Sequence, residues 1–123
     1  MSDYDFTMPY PPSINGYWKP FRNRIILSKR GREYRQEALK QLENMGLGCE
    51  LIHDNVIVSI TLNPPSLRRY DLDNYCKGIL DALTHAKFWI DDEQVQKLTI
   101  IKGKKTKGGI VRVSVDLIKP EIM

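Results

Sequence analysis

Six of the chain's fifteen acidic residues fall between Arg68 and Glu93, in R-R-Y-D-L-D-N-Y-C-K-G-I-L-D-A-L-T-H-A-K-F-W-I-D-D-E. Asp71 and Asp73 stand two apart, Lys77 follows four residues later, and Asp91 and Asp92 close the stretch. If Asp71, Asp73 and Asp92 converge, carboxylates about 4 Å apart repel by about 4 kcal/mol at an effective dielectric of about 20. A divalent cation removes that penalty, and hard carboxylate oxygens favour Mg2+ or Mn2+ over Zn2+. Lys77 beside such a cation would hold a phosphate or neutralise charge as it develops. Plainer roles exist for each acid. Asp71 suits a helix cap. Asp73 with Lys77 suits a surface ion pair worth roughly 0.3–0.5 kcal/mol. Asp91-Asp92-Glu93 suits a solvated turn.

The elements that position these residues follow from periodicity. Leu72, Tyr75, Cys76, Ile79, Leu80 and Leu83 recur at helical spacing, so the acidic stretch reads as a helix with one buried stripe and Asp71 as its N-cap. Asp73, Lys77 and Asp81 then form a row on the other face. Phe88-Trp89-Ile90 is an apolar clip that fixes where Asp91 and Asp92 point. In an extended segment two adjacent acids face opposite sides. Upstream, Val56, Val58, Ile60 and Leu62 alternate as a half-buried strand, and Pro64 and Pro65 end it. The loop that follows carries Arg68 and Arg69 to the helix start, where backbone N–H groups favour anions.

The rest of the chain adds a frame. Tyr4 to Met8 reads as a first strand, followed by an extended proline path at Pro9, Pro11 and Pro12. Ser13 to Gly16 is turn chemistry. Tyr17 to Leu27 reads as a strand pair bending at Arg22-Asn23. Ser28 caps a helix to about Met45, with Tyr34, Ala38, Leu42 and Met45 on one face, and Gly46 and Gly48 stop it. Val95 to Lys102 and Ile110 to Leu117 read as two strands of a hairpin closed by K-G-K-K-T-K-G-G, and residues 119–123 as a loose tail. The class is α+β, a small mixed β-sheet with two main helices in a single domain spanning residues 1–123.

Charge narrows the partner. The chain of 123 residues carries a net charge of +4, with a pI of about 9.1, and so leans towards anions. Gly16 to Arg32 holds no acid but has Lys19, Arg22, Arg24, Lys29, Arg30 and Arg32, interleaved with Tyr17, Trp18 and Phe21. Val95 to Val115 is also free of acids and carries Lys102, Lys104, Lys105 and Lys107. Cations beside aromatic planes suit phosphates and unstacked bases. The DNA-contacting set is therefore Lys19, Arg22, Arg24, Arg68, Arg69, Lys102, Lys104, Lys105 and Lys107. The alternatives are core or dimer packing for the aromatics and a solvated turn for the lysines. No run approaches the ~18 apolar residues of a membrane span. The N-terminus lacks the pattern of a signal peptide. Cys49 and Cys76 have no zinc-like spacing. A reduced, cytoplasmic setting is expected.

The D-L-D-N-Y-C-K element, the D-A-L and F-W-I-D-D-E-Q-V that follow, and the opening P-Y-P-P-S-I-N-G-Y-W together resemble the RusA family of Holliday junction resolvases. The resemblance implies a small homodimeric, Mg2+-dependent endonuclease that cuts four-way DNA junctions. It places the catalytic aspartates on Asp71, Asp73 and Asp92 and the catalytic lysine on Lys77. Asp91 becomes a second metal ligand or a cap. Two other classes compete: a module of the same fold that holds branched DNA without cutting it, and a structural protein that binds a fixed cation and contacts RNA or an acidic protein. Phe6, Tyr10, Tyr17, Trp18 and Phe21 gather near the N-terminus and are expected to help cover an apolar dimer interface.

Overall fold

The computed structural model describes residues 2–120; the expectation for residues 121–123 of the tail lies outside them. In chain order the elements are β1 (Tyr4–Met8), α1 (Ile14–Tyr17), β2 (Trp18–Phe21), β3 (Arg24–Leu27), α2 (Lys29–Asn44), β4 (Asn55–Asn63) and α3 (Asp73–His85). A 3-10 turn (Asp92–Gln94), β5 (Val95–Lys102) and β6 (Ile110–Ile118) follow. The four-stranded sheet runs β1-β6-β4-β5, and β2-β3 form a separate two-stranded ribbon.

Strand β4 is the axis of the fold. Its alternation sends Val56, Val58, Ile60 and Leu62 into the core, where they meet Val111, Val113 and Val115 of β6. Tyr34, Ala38 and Leu42 of α2, and Ile79, Ala82 and Leu83 of α3, complete that core. Ser28 caps α2 as its sequence implies: its Oγ accepts from Gly31 N at 3.0 Å and donates to Gly16 O at 2.6 Å. Such a cap contributes about 1 kcal/mol. The ribbon turns at Arg22, which takes a positive φ of 54°.

The strands β5 and β6 do not form the expected hairpin. β4 lies between them, parallel to β5 and antiparallel to β6. Parallel neighbours need a long crossover, which α3 supplies, so β5 takes the free side of β4. The loop from 103 to 109 then passes over the end of β4. Gly103 N donates to Leu62 O at 2.7 Å, Thr106 N to Pro64 O at 2.8 Å, and Asn63 Nδ2 to Lys104 O at 3.0 Å.

Two details of α3 depart from its periodicity. Leu72 already has helical dihedrals and Asp71 makes no side-chain cap; its backbone O accepts from Asn74 N at 3.1 Å. The chain begins to wind one residue too early for an Asp71 cap. The buried stripe is also rotated onto Gly78, Ile79, Ala82 and Leu83, leaving Cys76 half-buried. The reason is Tyr17, whose ring lies so close that a Cβ at residue 78 would stand 2.8 Å from its Cδ2.

Phe88 and Trp89 are buried as the apolar clip requires, and Trp89 Nε1 donates to Thr84 Oγ1 at 2.7 Å. Ile90 is exposed. Of the N-terminal aromatics assigned to a dimer contact, Phe6 and Tyr17 are instead buried in this chain's own core. Cys49 and Cys76 are free thiols. Among the described residues, no helix is long and apolar enough to cross a membrane.

Candidate active site

Helix α3 presents Asp73, Lys77 and Asp81 at one-turn intervals, which gives them a common face. Asp81 is the fixed member of the row. Arg35 grips it with both arms, Nε to Oδ2 at 2.8 Å and Nη2 to Oδ1 at 2.9 Å, and the Tyr17 hydroxyl donates to Oδ2. The fork geometry suits a guanidinium on a carboxylate. The hydrogen bond to Asp81 raises the Arg35 pKa. Burial, followed by the Asp81 carboxylate, raises that of Tyr17, which therefore stays a donor. Asp81 is satisfied and does not draw Lys77. The Lys77 ammonium lies over the Trp18 indole, 5.5 Å from its centroid, within cation–π range. Lys77, Asp81 and Asp92 share a cavity of about 690 Å3 whose remaining walls come from α1 and the β2-β3 ribbon.

Asp92 reaches this cavity through a pinned turn. Gln94 Oε1 accepts from Ile90 N at 2.9 Å and Asp91 N at 2.8 Å, while its Nε2 donates to Ile52 O and Asp54 O at 2.9 and 2.8 Å. The backbone winds into the 3-10 turn at Asp92. The two acids are therefore not splayed to opposite sides as an extended segment would require, and their carboxylates interact. Partial burial raises the Asp92 pKa first, then the hydrogen bond and charge of Asp91, then Asp81; Lys77 opposes the shift. Ionising Asp92 is therefore harder in the folded chain than in the unfolded one, and its charge weighs against stability at neutral pH. In chelator, Asp92→Asn is expected to raise the melting temperature at neutral pH. The gain should shrink as pH falls through the raised Asp92 pKa, because the wild-type carboxyl then becomes neutral too. Calorimetry across that range checks the sign, and a loss of stability at neutral pH would show that attraction to Lys77 dominates.

Among the described residues, no three His, Cys, Asp or Glu side chains form a group able to hold a metal ion. Asp92, Asp91, Asp81 and Lys77 come together, but Asp71 and Asp73 do not meet Asp92 at one point. Nor is Asp73 paired with Lys77; the ion pairs of the described residues are Lys29–Glu33 and Arg35–Asp81. The donor chemistry at this turn still suits a hard cation, since Asp91 and Asp92 interact with each other and offer only carboxylate oxygen.

The cations fall into two groups. Lys19, Arg22 and Arg24 are exposed on the ribbon beside the Lys77 cavity. Arg68 and Arg69 line a second hollow of about 400 Å3 with Tyr10, Tyr70, Tyr75 and Arg30. Lys102 Nζ sits 4.6 Å over the Tyr70 ring, and the crossover loop carrying exposed Lys104, Lys105 and Lys107 is tied to the end of β4 nearby. Arg30 belongs in the candidate set and was visible only as one of six cations in an acid-free run. The joining of Tyr17 and Arg35 to Asp81 had no local signal, since Arg35 lies 46 residues and Tyr17 64 residues from Asp81.

A family profile described as Endodeoxyribonuclease RusA matches residues 9–117. The chain belongs to the RusA family. It is 35% identical over 115 residues to the crossover junction endodeoxyribonuclease rusA of Enterobacteria phage HK97, covering 94% of this chain and 95% of that protein. It is 38% identical to the crossover junction endodeoxyribonuclease RusA of Escherichia coli strain K12, and 37% to that of Enterobacteria phage 82, with the same coverage. RusA membership therefore embraces α3, the Asp92 turn and both basic groups.

Proposed function

We propose that this chain is a divalent-metal-dependent endonuclease that resolves four-way DNA junctions by paired cuts, with Asp71, Asp73, Asp92 and Lys77 as its catalytic residues. Membership of the RusA family supports the reaction class. The observation that carries the site is the meeting of Lys77 and Asp92 in one cavity bordered by exposed cations. Mg2+ or Mn2+ would be held by Asp71, Asp73 and Asp92, with Asp91 as a further ligand. Asp71 and Asp73 are exposed, which leaves their rotamers open to a common cation. When bound, the metal supplies an activated water and stabilises the leaving oxygen. Lys77 orients the phosphate and offsets its charge, while Arg35 keeps Asp81 from trapping Lys77 in an ion pair. The two basic groups hold the DNA backbone.

A homodimer is part of this reading, because paired cuts need two sites related by symmetry. Strand β5 is an edge strand with exposed Leu98 and Ile101, an apolar border that a second copy can cover. The test is incubation with a synthetic four-way junction, with and without Mg2+, beside linear duplex and Y-shaped controls. Metal-dependent, paired nicking of the junction alone is the expected result. Tight junction binding with no nicking in Mg2+ or Mn2+ would leave only a binding module.

Replacing Lys104, Lys105 and Lys107 together with Ala is expected to weaken binding to every DNA tested. If each contacts one phosphate, the log–log salt slope falls by up to about 3 units. An unchanged slope would place the crossover loop in solvent.

A further inference from the structure

The P-P-S-I-N-G-Y-W motif, residues 11–18, supplies no catalytic residue in the reading above, yet it folds against the reacting groups. Gly16 N and Tyr17 N both donate to Ser13 O, at 2.9 and 2.8 Å, closing the short turn α1. That turn places Ile14, Asn15 and Trp18 on one wall of the cavity whose other wall holds Lys77, Asp81 and Asp92. Pro20 and Ile25 of the ribbon extend the apolar wall. Ile25 is 74% exposed, on a ribbon with little core of its own. The Trp18 indole N–H is buried with no protein partner among the described residues.

We propose that this cavity is a subsite for an unstacked nucleobase next to the phosphate that is cut, with Trp18, Pro20 and Ile25 against its faces and Asn15 reading its edge. The inference rests on the nuclease reading above. A volume of about 690 Å3 is that of a small-ligand pocket. Apolar walls with one amide suit a base: stacking tolerates any sequence, whereas a side-chain amide, with donor and acceptor together, discriminates between base edges. Lys77 joins the two halves, since it lies over the indole and shares the cavity with Asp92. A nucleotide likewise carries its phosphate and base a few bonds apart. A second protein chain fits less well, because Lys19, Lys77, Asp81 and Asp92 also line the cavity and interface cores are depleted of charge.

The test uses four-way junctions in which the nucleotide on either side of the cut phosphate, in turn, is normal or abasic. Single-turnover rates are measured in Mg2+ and affinities in Ca2+. On one side of the cut, the abasic junction is expected to lower the wild-type rate and affinity about tenfold, the scale of one lost stack. Trp18→Leu and Ile25→Ala should lose a similar factor on the normal junction and nothing further on the abasic one. Asn15→Ala should level the differences among the four bases at that position. Ile25→Ala changes an exposed residue and keeps the cycle readable if Trp18→Leu does not fold. Losses that multiply on the abasic junction overturn the proposal, as does an unaltered base preference in Asn15→Ala. A halved particle mass for Ile25→Ala in sedimentation would make the cavity a contact between copies and also overturn it. A chain that cuts no junction removes the nuclease reading alone, because the affinity cycle in Ca2+ still decides the subsite.

Discussion

Asp73→Asn is expected to bind four-way junctions almost as tightly as the wild-type chain and to cut them at least about 100-fold more slowly. A ligand charge lost from a metal that activates water forfeits several kcal/mol of transition-state stabilisation. Affinity has other sources: Arg68, Arg69, Lys102 and the loop lysines are exposed, and cations of this kind dominate binding to DNA. Asp73 opens α3 with no cap or ion pair to lose, so the fold should survive the change. Asp71→Asn and Asp92→Asn should behave alike. Gel shifts and single-turnover cleavage on the same junction separate the two effects. Cleavage near the wild-type rate in about millimolar Mg2+ would remove Asp73 from the ligand set.

The second large effect is on stability. Arg35→Met leaves the Asp81 carboxylate with one donor, Tyr17, in a site where its side chain is only 21% exposed and that of Arg35 25%. Breaking a fully buried pair costs about 3–5 kcal/mol; partial exposure reduces this to about 2 kcal/mol. For a chain of this size that lowers the melting temperature by roughly 6–10 °C. The double change Arg35→Met with Asp81→Leu should recover most of the loss, since no uncompensated charge remains. Thermal unfolding of the two variants checks this. A single variant as stable as wild type would mean that water already screens Asp81.

Much of the frame was legible because it is local. The alternation of Val56 to Leu62, the Ser28 cap and the bend at Arg22-Asn23 each depend on residues a few positions apart, and each appears where its chemistry puts it. The D-L-D-N-Y-C-K element likewise marked α3 and Lys77. Strand order was not legible. Nothing in K-G-K-K-T-K-G-G distinguishes a hairpin turn from a loop that passes over β4, because the difference lies in which strand pairs with Asn55–Asn63. The Tyr17–Asp81–Arg35 cluster was hidden for the same reason: its members belong to three elements, and no period links them. The rotation of α3 followed from Tyr17 resting on Gly78, a contact between α1 and α3 that a helical wheel does not contain.

The pairing of β1 with β6 has a consequence for how the chain is made. Tyr4 faces Val115 and Met8 faces Val111, and among the described residues β6 is the one strand beside β1 in the sheet. On the ribosome, Phe6 and Met8 therefore have no strand to lie against until Ile110–Ile118 has emerged, more than 100 residues later. Strand β1 can join the sheet only once Ile110–Ile118 has been made, and a nascent chain stalled before Ile110 cannot seat its first strand.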